Sequence, residues 1–369
     1  MALVGGSHGG SHGGSHGGSH GGSHGGSHGG SHGGPHSNDA GSPLLAEALA
    51  STHDALVGYW DGKTGIGEVA KPRGFERMAY LSSERRLQVL MADISPHFRV
   101  AAAGTSVRLL FGGSVICEIA PPDQAFLRDQ LLYMRNYADL RVDRIAEIIA
   151  QAEGVLAFFG AQHHLNTTRR QRALELLTIT QALTINLEMM VKHLCWLPRP
   201  LDLSPNVQPM IQTPDHSTFP SGHATEAFAI ATVFHRLTTG EPIVEGMRRK
   251  ALPIRLAHRI AANRTIAGLH FPVDSAAGAM LGCAIGEALH ALYSGRPGTR
   301  FDYGDDGFNL NPRAGEQVSQ DFTLQGLKDY ADGLSKAPAG ATPTAAIFAA
   351  FWRDAAEEFA APEAAPGRE

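Results

Sequence analysis

Three short stretches bring together side chains suited to holding a tetrahedral oxyanion beside groups that move protons. The first is Lys192-His-Leu-Cys-Trp-Leu-Pro-Arg199-Pro200, the second Pro220-Ser221-Gly222-His223, and the third Asn263-Arg264-Thr-Ile-Ala-Gly-Leu-His270-Phe-Pro-Val-Asp274. Arg199 and Arg264 offer planar donor forks that match such an anion. Lys192 precedes Arg199 by seven residues, about two helical turns, so both cations can point one way. Ser221 and Gly222 stand where a helix should begin. The unpaired N–H groups and positive dipole end of a helix start attract an anion, and Gly222 lets the backbone approach it. His223, in the first turn, should face the same spot. His270 and Asp274 are four apart, next to Pro272. A carboxylate at that spacing can accept one imidazole N–H, fix the tautomer and make the other nitrogen more basic. One histidine can then bond the central atom while the other gives or takes a proton. This suits phosphoryl transfer through a phosphohistidine, or the holding of a phosphate mimic. Each stretch alone also fits a plain reading: a capping turn, a solvated lysine, an Arg264–Asp274 ion pair. All three in this order on helix ends do not.

The elements that must position these groups read as helices. Apolar periodicity and stop signals place helices over 43–60, 123–153, 168–196, 221–237, 248–266, 272–293 and 343–359. Thr167 or Thr168 is the expected cap of the third, Gly240 and Gly268 close the fourth and fifth, and Pro272 suits a first turn. Residues 98–118 alternate instead, broken by Gly104 and Gly112-Gly113, and suggest a small β-hairpin. Residues 294–315 are rich in Gly, Pro and Asp and should be loop. The expected fold is mainly α, a helical bundle core. Its expected parts are a leader (1–39), an N-terminal helical part with the hairpin (40–164), a catalytic bundle (165–295), and a loop with a C-terminal helix packing on the core (296–369).

With 43% apolar and 18% charged residues the chain is globular, and a net charge of −5 leaves no basic field to argue for a nucleic-acid partner. Three separated cysteines, Cys117, Cys195 and Cys283, form no CxxC pair and argue against a disulfide framework or a cysteine zinc site. No basic region followed by an apolar stretch opens the chain, and no run of about 18 apolar residues is evident; the nearest, 275–286, is bracketed by Asp274 and Glu287. The expectation is a soluble, cytoplasmic protein with no membrane partner. Residues 5–34 repeat Gly-Gly-Ser-His, with histidines from His8 to His32 every four residues and His36 after Pro35. Nothing there can bury a core, so disorder is expected. The tract reads either as a leader, native or engineered, without a role in the fold, or as a weak ligand for Zn, Ni or Cu. In the second case the chain would be a non-catalytic metal-binding protein.

The three stretches together resemble the type 2 phosphatidic acid phosphatase and vanadium-dependent haloperoxidase superfamily. Its signature is Lys, six residues, Arg-Pro; Pro-Ser-Gly-His; then Ser-Arg, five residues, His, three residues, Asp. The match spans about residues 165–293 and departs at Asn263, where Ser is usual. The resemblance implies that Lys192, Arg199, Ser221, Gly222 and Arg264 bind the anion's oxygens. It makes His270 the nucleophile or the vanadium ligand, His223 the acid–base group, and Asp274 the residue that orients His270. Ala224 after the second stretch, and the run Thr213-Pro214-Asp215-His216-Ser217-Thr218-Phe219, are similar to the bacterial haloperoxidase-like branch. His216 resembles the bromide-oxidising type, and Met189, where the chloride type has Trp, speaks against chloride. The reading this favours is a vanadate-dependent haloperoxidase. It would oxidise bromide or iodide with hydrogen peroxide, with a small organic acceptor and a homo-oligomeric assembly. The alternative is a soluble acid phosphatase in which phosphate occupies the same site.

Overall fold

The structure, a computed structural model, describes residues 42–63, 67, 70–304, 307–311, 320–334 and 342–360. The leader at 1–39, with its histidine repeat, lies outside the described residues. The chain divides into two compact units, residues 1–86 and 87–369. In the first, α1 (Pro43–Leu56) begins at Ser42, whose hydroxyl accepts the Leu45 N–H, with Pro43 in the opening turn. Helix α2 (Ser83–Ile94) crosses the division.

The second unit is mainly α. It opens on β1 (Phe98–Ala103), β2 (Ser106–Phe111) and β3 (Ser114–Ile119), an antiparallel sheet in the order β1-β2-β3. The expected hairpin is thus a three-stranded meander. Both glycine breaks are turns: Gly104 at φ 63, and Gly112 and Gly113 at φ 55 and 85, a conformation that L side chains resist. Val107, Leu109 and Phe111 alternate inward, with a bulge between Leu109 and Leu110.

The span 123–153 holds two helices, α3 (Gln124–Ala138) and α4 (Arg141–Glu153), where the pattern suggested one. No Gly or Pro marks the break. Tertiary bonding makes it: Arg141 donates to the carbonyls of Ile266, Gln208 and Val207 at 3.0, 3.1 and 2.8 Å. A short helix α5 (Leu156–Gly160) leads to α6 (Gln171–Cys195), which starts later than expected and without a side-chain cap at Arg170. The Asn166 side chain accepts from Thr168 and Arg169 in the turn before it. A distant carboxylate, Glu358, takes the Arg172 and Ala173 N–H groups, each at 2.9 Å.

After α7 (Pro200–Leu203) come α8 (Gly222–Thr239), α9 (Ile243–Arg248), α10 (Leu252–Ile266) and α11 (Pro272–Ser294). The helix expected over 248–266 begins later, at Leu252, after Lys250, which sits at φ 49. Helices α12 (Leu324–Gly333) and α13 (Ala346–Ala360) are the last among the described residues. The most extensive helix pairing is α8 with α11, and α6 and α10 flank α8. Gly278, Gly282 and Gly286, four apart on α11, meet the α8 backbone directly, which explains the closeness. Glu287, fully buried, joins three helices by accepting from Arg236 and from the Ile243 N–H at 2.8 Å.

Two described helices, 171–203 (taken with its continuation) and 272–294, are long and apolar enough to cross a membrane, which corrects the expectation that none would be. In the most apolar 18-residue stretch of each, 94% of the second and 50% of the first is buried within the protein.

Candidate oxyanion-binding active site

The first corner is built where α6 ends. Trp196 takes a left-handed φ of 39 and returns its N–H to the Lys192 carbonyl at 2.9 Å. The chain then runs beside 216–220: Leu197 donates to Ser217 Oγ at 2.9 Å, and Thr218 donates back to the Leu197 carbonyl at 3.1 Å. Lys192, 1% exposed, points inward and donates to the carbonyls of Pro220 and Ser217 at 2.5 and 3.3 Å. Arg199 is anchored by its own N–H, given to Asp202 at 2.8 Å. Its guanidinium donates to the His216 and Leu269 carbonyls at 3.0 and 3.1 Å, to His216 Nδ1 at 3.1 Å, and to His270 Nε2 at 3.2 Å.

That last contact fixes the state of His270. A guanidinium only donates, so Nε2 presents its lone pair. Nδ1 therefore carries the proton and gives it to Asp274 Oδ2 at 3.1 Å. The same oxygen also accepts from Thr218 Oγ1 at 2.6 Å and the Phe271 N–H at 2.9 Å. Burial, and then the Arg199 and Lys192 charges, hold His270 well below the usual imidazole range. It is a neutral imidazole whose Nε2 lone pair faces Arg199. Burial pushes Asp274 up to about 6 against those hydrogen bonds. The starts of α8 and α11 are tied together, because the Ser221 N–H donates to the Asp274 carbonyl at 2.9 Å. Ser221 caps α8 through its hydroxyl, which leaves the N–H groups of Gly222 and His223 ahead of the intrahelical ladder.

The opposite corner is α10 against α4. Arg264, fully buried, donates from Nη2 to the Ile148 carbonyl at 3.0 Å, while its Nε and Nη1 have no partner. His223 Nε2 donates to the Gln151 carbonyl at 3.2 Å. The buried, unpaired Nε and Nη1 of Arg264 are the donors of this corner that lack an acceptor, and a guanidinium fork of that kind fits an oxyanion.

Charge across the corners is shared. Burial lowers Lys192 to about 8 and Arg199 and Arg264 to about 10. Glu188, one turn before Lys192, and Glu226, one turn after His223, are drawn up by the same burial. Glu188 lies well above the usual carboxylate range and Glu226 at about 7. Glu188 leans so close to Gly222 that a Cβ there would stand 2.6 Å from Oε1, so only glycine leaves this carboxyl its place.

Lys192, Arg199, Ser221, Gly222, His223, Arg264, His270 and Asp274 therefore meet in one buried cluster, and His216 joins it through Arg199. Met189 does not: it stays 40% exposed on α6. Sequence reasoning missed Thr218, Gln151, Glu188 and Glu226. For the two glutamates a signal existed, a charge three or four residues from a site residue on an otherwise apolar helical face.

Helix ends thus gather buried cationic side chains around a neutral histidine held by a carboxylate. Residues 172–297, which include all eight of those residues, form a PAP2 superfamily domain. The chain is also similar to decaprenylphosphoryl-5-phosphoribose phosphatase from two strains of Mycobacterium tuberculosis. Each match is 33% identical over 96 residues, covering 26% of this chain and 49% of the relative. The chain thus spans about half the length of the curated relatives it matches.

Proposed function

We propose that this site hydrolyses phosphomonoesters through a phosphohistidine on His270. The observation that carries the reading is the His270 geometry: Nδ1–H bound by Asp274, and a lone pair on Nε2 beside Arg199. The similarity to phosphatases weighs on the same side, and against the haloperoxidase reading as the first choice. Lys192, Arg199, Arg264 and the opening N–H groups of α8 hold the three non-bridging oxygens. His270 Nε2 attacks phosphorus and the ester oxygen leaves, taking a proton from His223. Water then cleaves the phosphorus–nitrogen bond, giving its proton to His223 and releasing phosphate. His270 returns to its neutral state. Asp274 keeps the imidazole oriented and offsets the charge that grows on it, as preorganised electrostatics require.

One observation favours a second reading, vanadate-dependent oxidation of bromide or iodide. His216, the residue that resembles the bromide-oxidising type, contacts Arg199 in the cage. The same residues would hold vanadate, with His270 as its protein ligand; when bound it would supply Lewis-acid activation of hydrogen peroxide.

The test runs two assays on one preparation: p-nitrophenyl phosphate hydrolysis without vanadate, and bromination of a phenolic dye with orthovanadate, bromide and peroxide. Phosphate release that falls at least about a thousandfold in His270→Ala supports the proposal, since the nucleophile is removed outright. Halide oxidation with no phosphate turnover would replace it with the second reading.

A further inference from the structure

We infer that Gln151, a residue of α4 outside the superfamily domain, supplies one more oxyanion donor, and that Asn263 and Glu147 hold its amide the right way round. The inference rests on the oxyanion reading of the site and adds a ligand to it.

Gln151 is 1% exposed, and its Nε2 has no partner. Leaving an amide N–H2 buried and unpaired costs free energy unless an acceptor belongs there. The residue lies between two members of the cage. Its backbone carbonyl accepts from His223 Nε2 at 3.2 Å, and its side-chain Oε1 lies 3.5 Å from Arg264 Nη2. Arg264 Nε and Nη1, the other unpaired donors of this corner, are on the same guanidinium. Three buried donors with nothing to give to, grouped around a cationic cage, call for an oxygen-rich anion.

The direction of the amide follows from a chain of contacts that starts at the surface. Glu147 accepts from Arg259, at 2.8 Å from Nε and again from Nη2. Those bonds hold its carboxyl below the usual range, so it is an acceptor only. The Asn263 atom that faces Glu147 Oε2, at 3.1 Å, must therefore be the N–H2. That same Nδ2 lies 2.9 Å from Gln151, which must present its oxygen there. Arg264, a pure donor, demands the same assignment. Gln151 Nε2 is then turned away from α10's Asn263. Serine at 263, the usual residue of the resembled signature, has one hydroxyl proton and could not donate to Glu147 and Gln151 together. The departure at Asn263 and the unpaired amide of Gln151 thus have one explanation.

The experiment measures the dissociation constants of inorganic phosphate and orthovanadate by calorimetry on the full chain, for wild type and three variants. Gln151→Met keeps the side-chain volume and removes the donor; affinity should fall about tenfold or more, the range for a hydrogen bond to a charged group. Gln151→Glu should abolish binding at pH 8 and recover part of it at pH 5, as the new carboxylate takes a proton. Asn263→Ser leaves Gln151 in place but frees its amide to turn. It should weaken both anions by a few-fold with an unchanged melting temperature in their absence, which a merely structural role for Asn263 would not produce. If Gln151→Met does not fold, Asn263→Ser reads the same quantity. Wild type that binds neither anion defeats the oxyanion reading itself. Wild type that binds, with Gln151→Met or Asn263→Ser binding equally well, defeats only the inference about Gln151.

Discussion

The closest test of how this fold builds its site is Gly282→Ala. A Cβ at Gly282 would stand 2.3 Å from the Thr225 carbonyl oxygen, 2.8 Å from the Ala229 nitrogen and 3.0 Å from Phe228 Cβ. The first two are backbone atoms of α8 and cannot swing aside. Reaching an ordinary carbon–oxygen contact requires the helices to part by about 1 Å at this level. Overpacking of this kind costs ~1–3 kcal/mol, and the clash with backbone puts it at the upper end; better helix propensity returns ~1 kcal/mol, leaving a net loss of about 2 kcal/mol. At ~2–4 °C per kcal/mol for a chain of this size, the melting temperature should fall by about 5 °C. The functional effect should be larger in proportion, because α8 carries Ser221, Gly222 and His223 while α11 carries Asp274. A misplacement of about 1 Å in such a constellation can cost on the order of a hundredfold in rate. Gly278→Ala sharpens the test: its Cβ would meet the Ser221 carbonyl at 2.7 Å and Ala224 Cβ at 2.9 Å, next to the anion-facing turn. It should lose more anion affinity per degree of melting temperature than Gly282→Ala. Thermal melts by circular dichroism, with orthovanadate titrations on the same samples, give both numbers. A Gly282→Ala protein that melts at or above the wild-type temperature and binds orthovanadate normally would refute the claim that α8–α11 contact sets the site.

The pH dependence of stability should change sign-specifically in Glu226→Gln. Burial raises Glu226 from 4.5 to about 7, so its contribution is full below pH 4.5 and is lost as pH rises through 7. The melting-temperature advantage of Glu226→Gln over wild type should grow across that window; an advantage that is constant from pH 4.5 to 8 would contradict the buried, shifted carboxyl. Arg141→Lys should cost about 2–3 kcal/mol, since the three donors of an ammonium radiate from one nitrogen and cannot span carbonyls that Nε, Nη1 and Nη2 reach on two segments. Limited proteolysis should then cut faster within 204–211; unchanged cleavage would show that Arg141 does not hold that segment.

The cationic cluster is readable from the chain because its residues sit at helix ends, where sequence carries punctuation. Pro200, Ser221, Gly240 and Pro272 mark starts and stops, and a charged residue beside such a mark has few bland explanations. Thr218, Gln151, Glu188 and Glu226 lack that advantage. Glu188 and Glu226 lie inside helices, where a lone carboxylate reads as solvated unless one knows which face is buried. Gln151 is placed by α4 turning at Asp139–Leu140, and that turn depends on Arg141 finding carbonyls 66, 67 and 125 residues away. No local propensity encodes it. The same holds at Lys250, where the chain takes a left-handed residue without glycine and α10 begins only at Leu252, four residues after the expected start. Local pattern therefore specifies the part of the site that lies within residues 172–297, at helix ends. The part supplied by α4 depends on tertiary bonding. Asn263 shows the same dependence: one side chain inside the motif contacts Glu147 and Gln151, both on the helix outside it.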